Sequence, residues 1–169
     1  SQKIKSLYGH NYDPATEITI TAGGTQGIFT VLACAINPGD EVIVIEPVYD
    51  SYIHSIDTVG GTAVPVQLMV KRNDSGDITG YEIPWDAMAK AITPRTKMIM
   101  INSPHNPTGM VWQSADIDRL ADLVRDTDIL ICSDEVYEHM VFDGKDHQSV
   151  ARHPELAQRS FVVSSFGKT

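Results

Sequence analysis

Lys97-Met-Ile-Met-Ile-Asn102-Ser-Pro-His-Asn106-Pro-Thr-Gly109 is a short apolar run that breaks into a loop of prolines and a glycine. Positions 98–101 carry no polar residue, so one face of the run is not alternating with water. Such a run reads as a strand covered on both sides, the habit of parallel sheets. The two prolines and the glycine then fix the backbone, which holds the Asn106 amide in one direction. In open α/β sheets ligands gather at the carboxyl ends of strands. This one stretch therefore suggests both an architecture and a place within it to look for chemistry.

Working outward, β-rich runs recur at 17–22, 41–46, 62–68 and 129–133, and again at 160–164. Between them lie helix candidates at 26–36, 49–59, 85–91 and 114–125. In the last, Ile117, Leu120, Ala121 and Val124 fall at helical spacing, with Ser114 as the expected N-cap. Asn37-Pro-Gly-Asp-Glu stops a helix before the second strand, and Asn73-Asp-Ser-Gly-Asp is a surface turn. Gln2 to Tyr8 reads as the end of a helix, and Ser1 is not an initiator Met, so the sequence reads as an excerpt of something longer. Alternating strands and helices without repeat or low-complexity linker predict one α/β domain, a mostly parallel sheet in three α/β/α layers.

The 169 residues suffice for a sizeable core. A formal net charge of −9, from 22 acidic and 13 basic residues, argues against a nucleic-acid partner, which calls for a basic excess. No apolar run is long enough to cross a bilayer, and no signal peptide opens the sequence. Cys34 and Cys132 sit in apolar runs and read as small buried hydrophobes, which suits a reducing cytoplasm. The six histidines lack a ligand spacing such as HExxH, so no metal is expected.

Each strand end taken alone carries two readings. Ala22-Gly23-Gly24-Thr25-Gln26-Gly27 could bring backbone N–H groups to an anion at a helix start, or be a plain tight turn. In Glu46-Pro-Val-Tyr49-Asp-Ser-Tyr52, an aromatic could stack on a flat ring, or both tyrosines could pack on one helix face. Asp134, delivered by Ile129-Leu-Ile-Cys-Ser133, is either a buried carboxylate that needs a partner or a helix cap. Lys168, after Ser164-Ser165-Phe166-Gly167, is either a solvated lysine or a desolvated amine with a lowered pKa, able to form a Schiff base.

The order of these motifs is more specific than any one of them. Gly-Gly-Thr, an aromatic, Asn-Pro-Thr-Gly, Asp-x-x-Tyr and Ser-x-x-Lys, each after a strand, resemble the cofactor domain of fold-type I, pyridoxal-phosphate-dependent class I/II aminotransferases. His105-Asn-Pro-Thr-Gly, Ser133-Asp-Glu-Val-Tyr and Ser164-Ser-Phe-Gly-Lys, together with Trp112-Gln, are most similar to bacterial methionine-type members. The resemblance implies that 1–169 is the cofactor-binding large domain and that the cofactor is pyridoxal 5'-phosphate. It implies an amino acid and a 2-oxo acid as substrates, and a homodimeric full-length protein. It assigns Lys168 to the Schiff base and to proton transfer, Asp134 to the ring nitrogen, and Asn106 and Tyr137 to the ring oxygen. Tyr49 would stack on the ring, while Gly24, Thr25, Gln26 and Ser165 would serve the phosphate.

Three parts of the family pattern fall outside these residues. They are a basic phosphate-binding residue after the lysine, a small C-terminal domain with an arginine for the substrate carboxylate, and an N-terminal tyrosine lent to the neighbouring subunit. The family's next strand would lie antiparallel beside the run at 17–22, so the 169 residues alone are expected to be inactive. A carbon-sulfur β-lyase shares the same residues, and a transcription regulator with an aminotransferase-like domain is a further alternative.

Overall fold

In the computed structural model, which describes residues 1–168, every apolar run but the first becomes a strand of one sheet. The strands are β1 (Glu41–Glu46), β2 (Thr62–Gln67), β5 (Thr96–Asn102), β6 (Leu130–Asp134) and β7 (Ser160–Val163), in the order β2-β1-β5-β6-β7. All four pairings are parallel. Thr93 and Arg95 hydrogen-bond the Glu41 carboxylate and pin the amino ends of β1 and β5 together. Pro65, which cannot donate to a ladder, lies in β2 at the edge.

The period-2 geometry of the strands sorts their apolar residues onto two faces. On one face Ile43, Ile99, Ile101 and Ile131 meet Met88 of α4 (Trp85–Ala91) and Leu120 of α5 (Ser114–Val124). On the other Val42, Val44, Met98, Met100 and Cys132 meet Ile28 and Leu32 of α2 (Gly24–Ala35) and Ile56 of α3 (Ser51–Thr58). The three layers expected from sequence are therefore present. Each fully buried Leu or Ile contributes about 1.5–3 kcal/mol of transfer free energy, so the middle strands hold the sheet together. α1 (Gln2–Tyr8) ends on Gly9 in the left-handed region, and α6 (Pro154–Ala157) precedes β7.

Four expectations need correction. The run at 17–22 is not a strand: it finds no ladder partner among the described residues, and Ile20 is 82% exposed. β7 likewise pairs only with β6 there. A strand exists only by pairing, so a β-rich run without a partner stays irregular. The N-cap of α5 is Gln113 rather than Ser114, because Asp116 Oδ2 accepts the Gln113 N–H at 2.9 Å. Cys34 is exposed on the outer side of α2, whereas Cys132 is buried and its thiol pushed up to about 12 by burial. Finally, the turn at 73–77 joins an antiparallel hairpin, β3 (Met69–Arg72) and β4 (Ile78–Glu82). Its strands are largely exposed, so they carry little of the burial pattern that betrays a strand in sequence.

Candidate active site

The polar residues singled out by sequence collect at the carboxyl edge of the sheet. β5 ends in Asn102, buried between two neighbours. Its Oδ1 accepts the Asn106 N–H at 2.7 Å, and its Nδ2 donates to the Asp134 carbonyl at 2.9 Å. One side chain thus joins the proline loop to the end of β6. The loop closes on itself, with His105 N–H donating to the Met110 carbonyl at 2.8 Å and Gly109 N–H to the His105 carbonyl at 2.8 Å. Gly109 sits at φ 71°, a backbone that suits glycine. Asn106 is half-buried above Asn102.

At the end of β6, Asp134 is only 5% exposed. Its Oδ2 accepts a short hydrogen bond from the Tyr52 hydroxyl, and Oδ1 accepts the Val136 N–H at 3.2 Å. Burial holds this carboxyl above the usual carboxylate range, partly offset by those two donors. Asp134 is no helix cap, since only a turn follows it. Its neighbour Glu135 is engaged elsewhere. That carboxylate accepts from Ser133 Oγ at 2.8 Å and from the Val150 N–H at 3.2 Å, and it pairs with His147 Nε2 at 2.9 Å.

Glu138, buried in the same turn, gathers partners from both ends of the chain. Lys3 Nζ and the Tyr8 hydroxyl each donate to it at 2.6 Å, and Ser164 Oγ beyond β7 donates at 2.5 Å. Burial alone would raise its pKa, but these donors outweigh burial and hold it below the usual value.

Beyond β7 the chain is open. Ser165 Oγ accepts the Gly167 N–H at 3.1 Å, Phe166 is 91% exposed, and Lys168 is exposed with Nζ 5.8 Å from the Tyr137 ring centroid. Of the two readings of Lys168, the desolvated amine is not met in this structure. Across from it α2 begins at Gly23, with φ 144°. A Cβ on Gly24 would come within 3.1 Å of Val136 Cγ1, two residues past Asp134. The glycine therefore lets the helix start approach the end of β6. Thr25 is exposed, and the Gln26 side-chain carbonyl is turned back onto the Ala22 N–H. Tyr49 is 43% exposed, its ring set edge-on to Tyr52 with centroids 5.7 Å apart.

The structure thus brings Asp134, Tyr137, Lys168 and Gly24 around one turn, ties Asn106 in through Asn102, and ties Tyr49 in through Tyr52. Sequence reasoning gave Asn102, Tyr52 and Glu138 no part in the site. A buried polar residue ending an apolar strand was a usable signal for Asn102. Tyr52 was read only as a helix-face partner of Tyr49. Nothing local marks Glu138, whose partners lie 130 and 135 residues away. Two concavities lie elsewhere: one of about 410 Å³ at the amino end of β6, and one of about 760 Å³ under the β3–β4 hairpin.

Comparison with known proteins agrees with this picture. The family pattern described as aminotransferase class I and II matches residues 1–169. The chain is 38% identical over 169 residues to the methionine aminotransferase of Escherichia coli, covering 100% of this chain and 42% of that protein. It is 38% identical over 161 residues to a probable N-succinyldiaminopimelate aminotransferase of Mycobacterium tuberculosis, covering 95% and 39%. Among solved structures, YbdL from Escherichia coli, described as having a methionine aminotransferase function, superposes with a TM-score of 0.91 at 38% identity. That match covers 99% of this chain and 42% of that one. The chain spans about two fifths of the length of these relatives.

Proposed function

The chain belongs to the aminotransferase class I and II family, and on that premise we propose that it forms the large domain of an enzyme using pyridoxal 5'-phosphate. The enzyme moves an amino group from an amino acid to a 2-oxo acid, and it works as a homodimer in the cytoplasm, without nucleic-acid or membrane partners. The observation that carries this reading is a buried carboxylate, Asp134, sharing one sheet edge with a side-chain-free helix start at Gly24.

The residues present fit the cofactor. Its phosphate needs free backbone N–H groups approached without a Cβ, and the first turn of α2 offers them at Gly24, Thr25 and Gln26. The Ser165 hydroxyl adds a donor. Its ring nitrogen needs an anion shielded from water, and Asp134 supplies one. When bound, the cofactor supplies a sink for the electrons left on the substrate α-carbon.

The protein's own work is placement and proton handling. Asp134 would hold a proton at the ring nitrogen by its negative charge. Asn106 and Tyr137 would donate to the ring oxygen, and Tyr49 would stack on the ring and hold its plane. Lys168 would be the residue that holds the cofactor covalently, and its free amine would move the proton at the substrate α-carbon.

The test uses the full-length protein with pyridoxal phosphate, an amino acid donor and a 2-oxo acid acceptor. Amino-group transfer to the acceptor is the expected result. Release of pyruvate and ammonia without transfer would instead identify a β-lyase and overturn the reading.

A further inference from the structure

Tyr52 stands one helical turn beyond Tyr49 and has a different neighbour. Its ring is 4% exposed, and its hydroxyl donates to Asp134 Oδ2 across 82 positions of sequence. Its N–H donates to the Tyr49 carbonyl at 2.9 Å, and the two rings meet at 88°. The chain thus enters α3 so that Tyr49, just before it, is open at the sheet edge and Tyr52, in its first turn, is buried against the acid.

We infer that Tyr52 is a positioning residue for Asp134, fixing the plane of its carboxylate and favouring its anionic form at a buried position. This rests on the reading of Asp134 as the residue serving the cofactor's ring nitrogen. A carboxylate can rotate about Cβ–Cγ, and an isolated one in a dry site takes up a proton. Two donors oppose both tendencies here: the Val136 N–H on Oδ1 and the Tyr52 hydroxyl on Oδ2. The backbone donor cannot be replaced by mutation, so Tyr52 is the adjustable one.

The other groups near Asp134 cannot take over its role. Cys132, behind it on β6, stays a neutral thiol. Glu135 adds negative charge, which pushes Asp134 toward protonation, and its own donors are Ser133, His147 and the Val150 N–H. On the following turn, Tyr137 faces Lys168. On α3, Tyr52 itself stays a phenol, because burial and the adjacent Asp134 charge drive its pKa far above the ordinary range. Tyr52 therefore acts only as a donor toward the carboxylate.

The experiment compares wild-type, Tyr52→Phe and Asp134→Asn forms of the full-length protein. In the cofactor-free protein, the infrared band of the Asp134 carboxyl is followed against pH, identified by its loss in Asp134→Asn. Tyr52→Phe should move the midpoint up by about one pH unit, the roughly tenfold worth of one hydrogen bond to a charged group. With cofactor bound, kcat should fall about tenfold while the KM of the amino donor stays near wild type. A midpoint that does not move, or an unchanged kcat beside a moved midpoint, overturns the inference. Normal turnover in Asp134→Asn would instead sink the site reading beneath it. If Tyr52→Phe does not fold, Asp134→Asn gives the reciprocal measurement. Removing the anion should bring the Tyr52 phenol's ultraviolet titration to lower pH, and no change there counts equally against the inference.

Discussion

The ends of β5 and β6 differ sharply from the segment beyond β7 and the start of α2, although all four border the same site. At β5 and β6 the polar groups are buried and already bonded: Asn102 to two backbone groups, Asp134 to Tyr52 and Val136, Glu135 to His147. At β7 and α2, Ser165 and Gln26 bond only to their own local backbone, and Thr25 and Lys168 are exposed. The first pole is preorganised by the fold, and on the proposed reading its polar residues carry stability as well as chemistry. The second pole has backbone geometry in place, and of its side chains only Ser164 is described with a buried partner, Glu138. A substitution should therefore separate function from stability at the second pole and mix the two at the first.

The largest effect is expected from Lys168→Ala in the full-length protein. It should abolish transamination and the visible absorbance of the bound cofactor, yet shift unfolding by no more than about 0.5 kcal/mol because the side chain is exposed. Retention of both absorbance and activity would break the comparison at its chemical end. Next, Asp134→Ala should lower turnover by orders of magnitude while some cofactor still binds. Normal turnover would remove the acid from the mechanism.

Stability differences come third. Asn102→Ala leaves the Asn106 N–H and one bond to the Asp134 carbonyl unmade, and should cost about 1–3 kcal/mol by chemical denaturation. Ser165→Ala should stay within about 0.5 kcal/mol. Equal costs at the two positions would erase the distinction drawn between the poles. The smallest effect concerns pH. The Glu138 pKa is lowered in the fold, so its contribution is complete above its ordinary value near 4.5 and is lost as pH falls through the lower folded value. Glu138→Gln should flatten the acid limb of the melting temperature below about pH 4.5. A limb as steep as wild type would assign acid unfolding to other carboxylates.

Much of the architecture was legible because it rests on local patterns. Three buried strands, β1, β5 and β6, and the helix α5 announce themselves through runs such as 98–101 and through the spacing Ile117, Leu120, Ala121, Val124. The run at 17–22 looked the same and behaves differently, because pairing is a property of neighbours rather than of the segment. The hairpin at 69–82 failed in the opposite way, being paired but too exposed to show a burial pattern. For the site, the motif residues were legible as types, and their gathering at one edge followed from the strand order. Their supports were not, since the partners of Tyr52 and Glu138 lie 82 and 130 residues away in sequence.

The clasp at Glu138 also bears on how the chain is made. Lys3 and Tyr8 leave the ribosome well before the carboxylate that holds them, and Ser164 comes 26 residues later still. At about 5–20 residues per second, α1 emerges on the order of ten seconds ahead of its anchor. α1 therefore docks only after Glu138 has followed it out, and the clasp joins segments 130 and 135 residues apart in sequence.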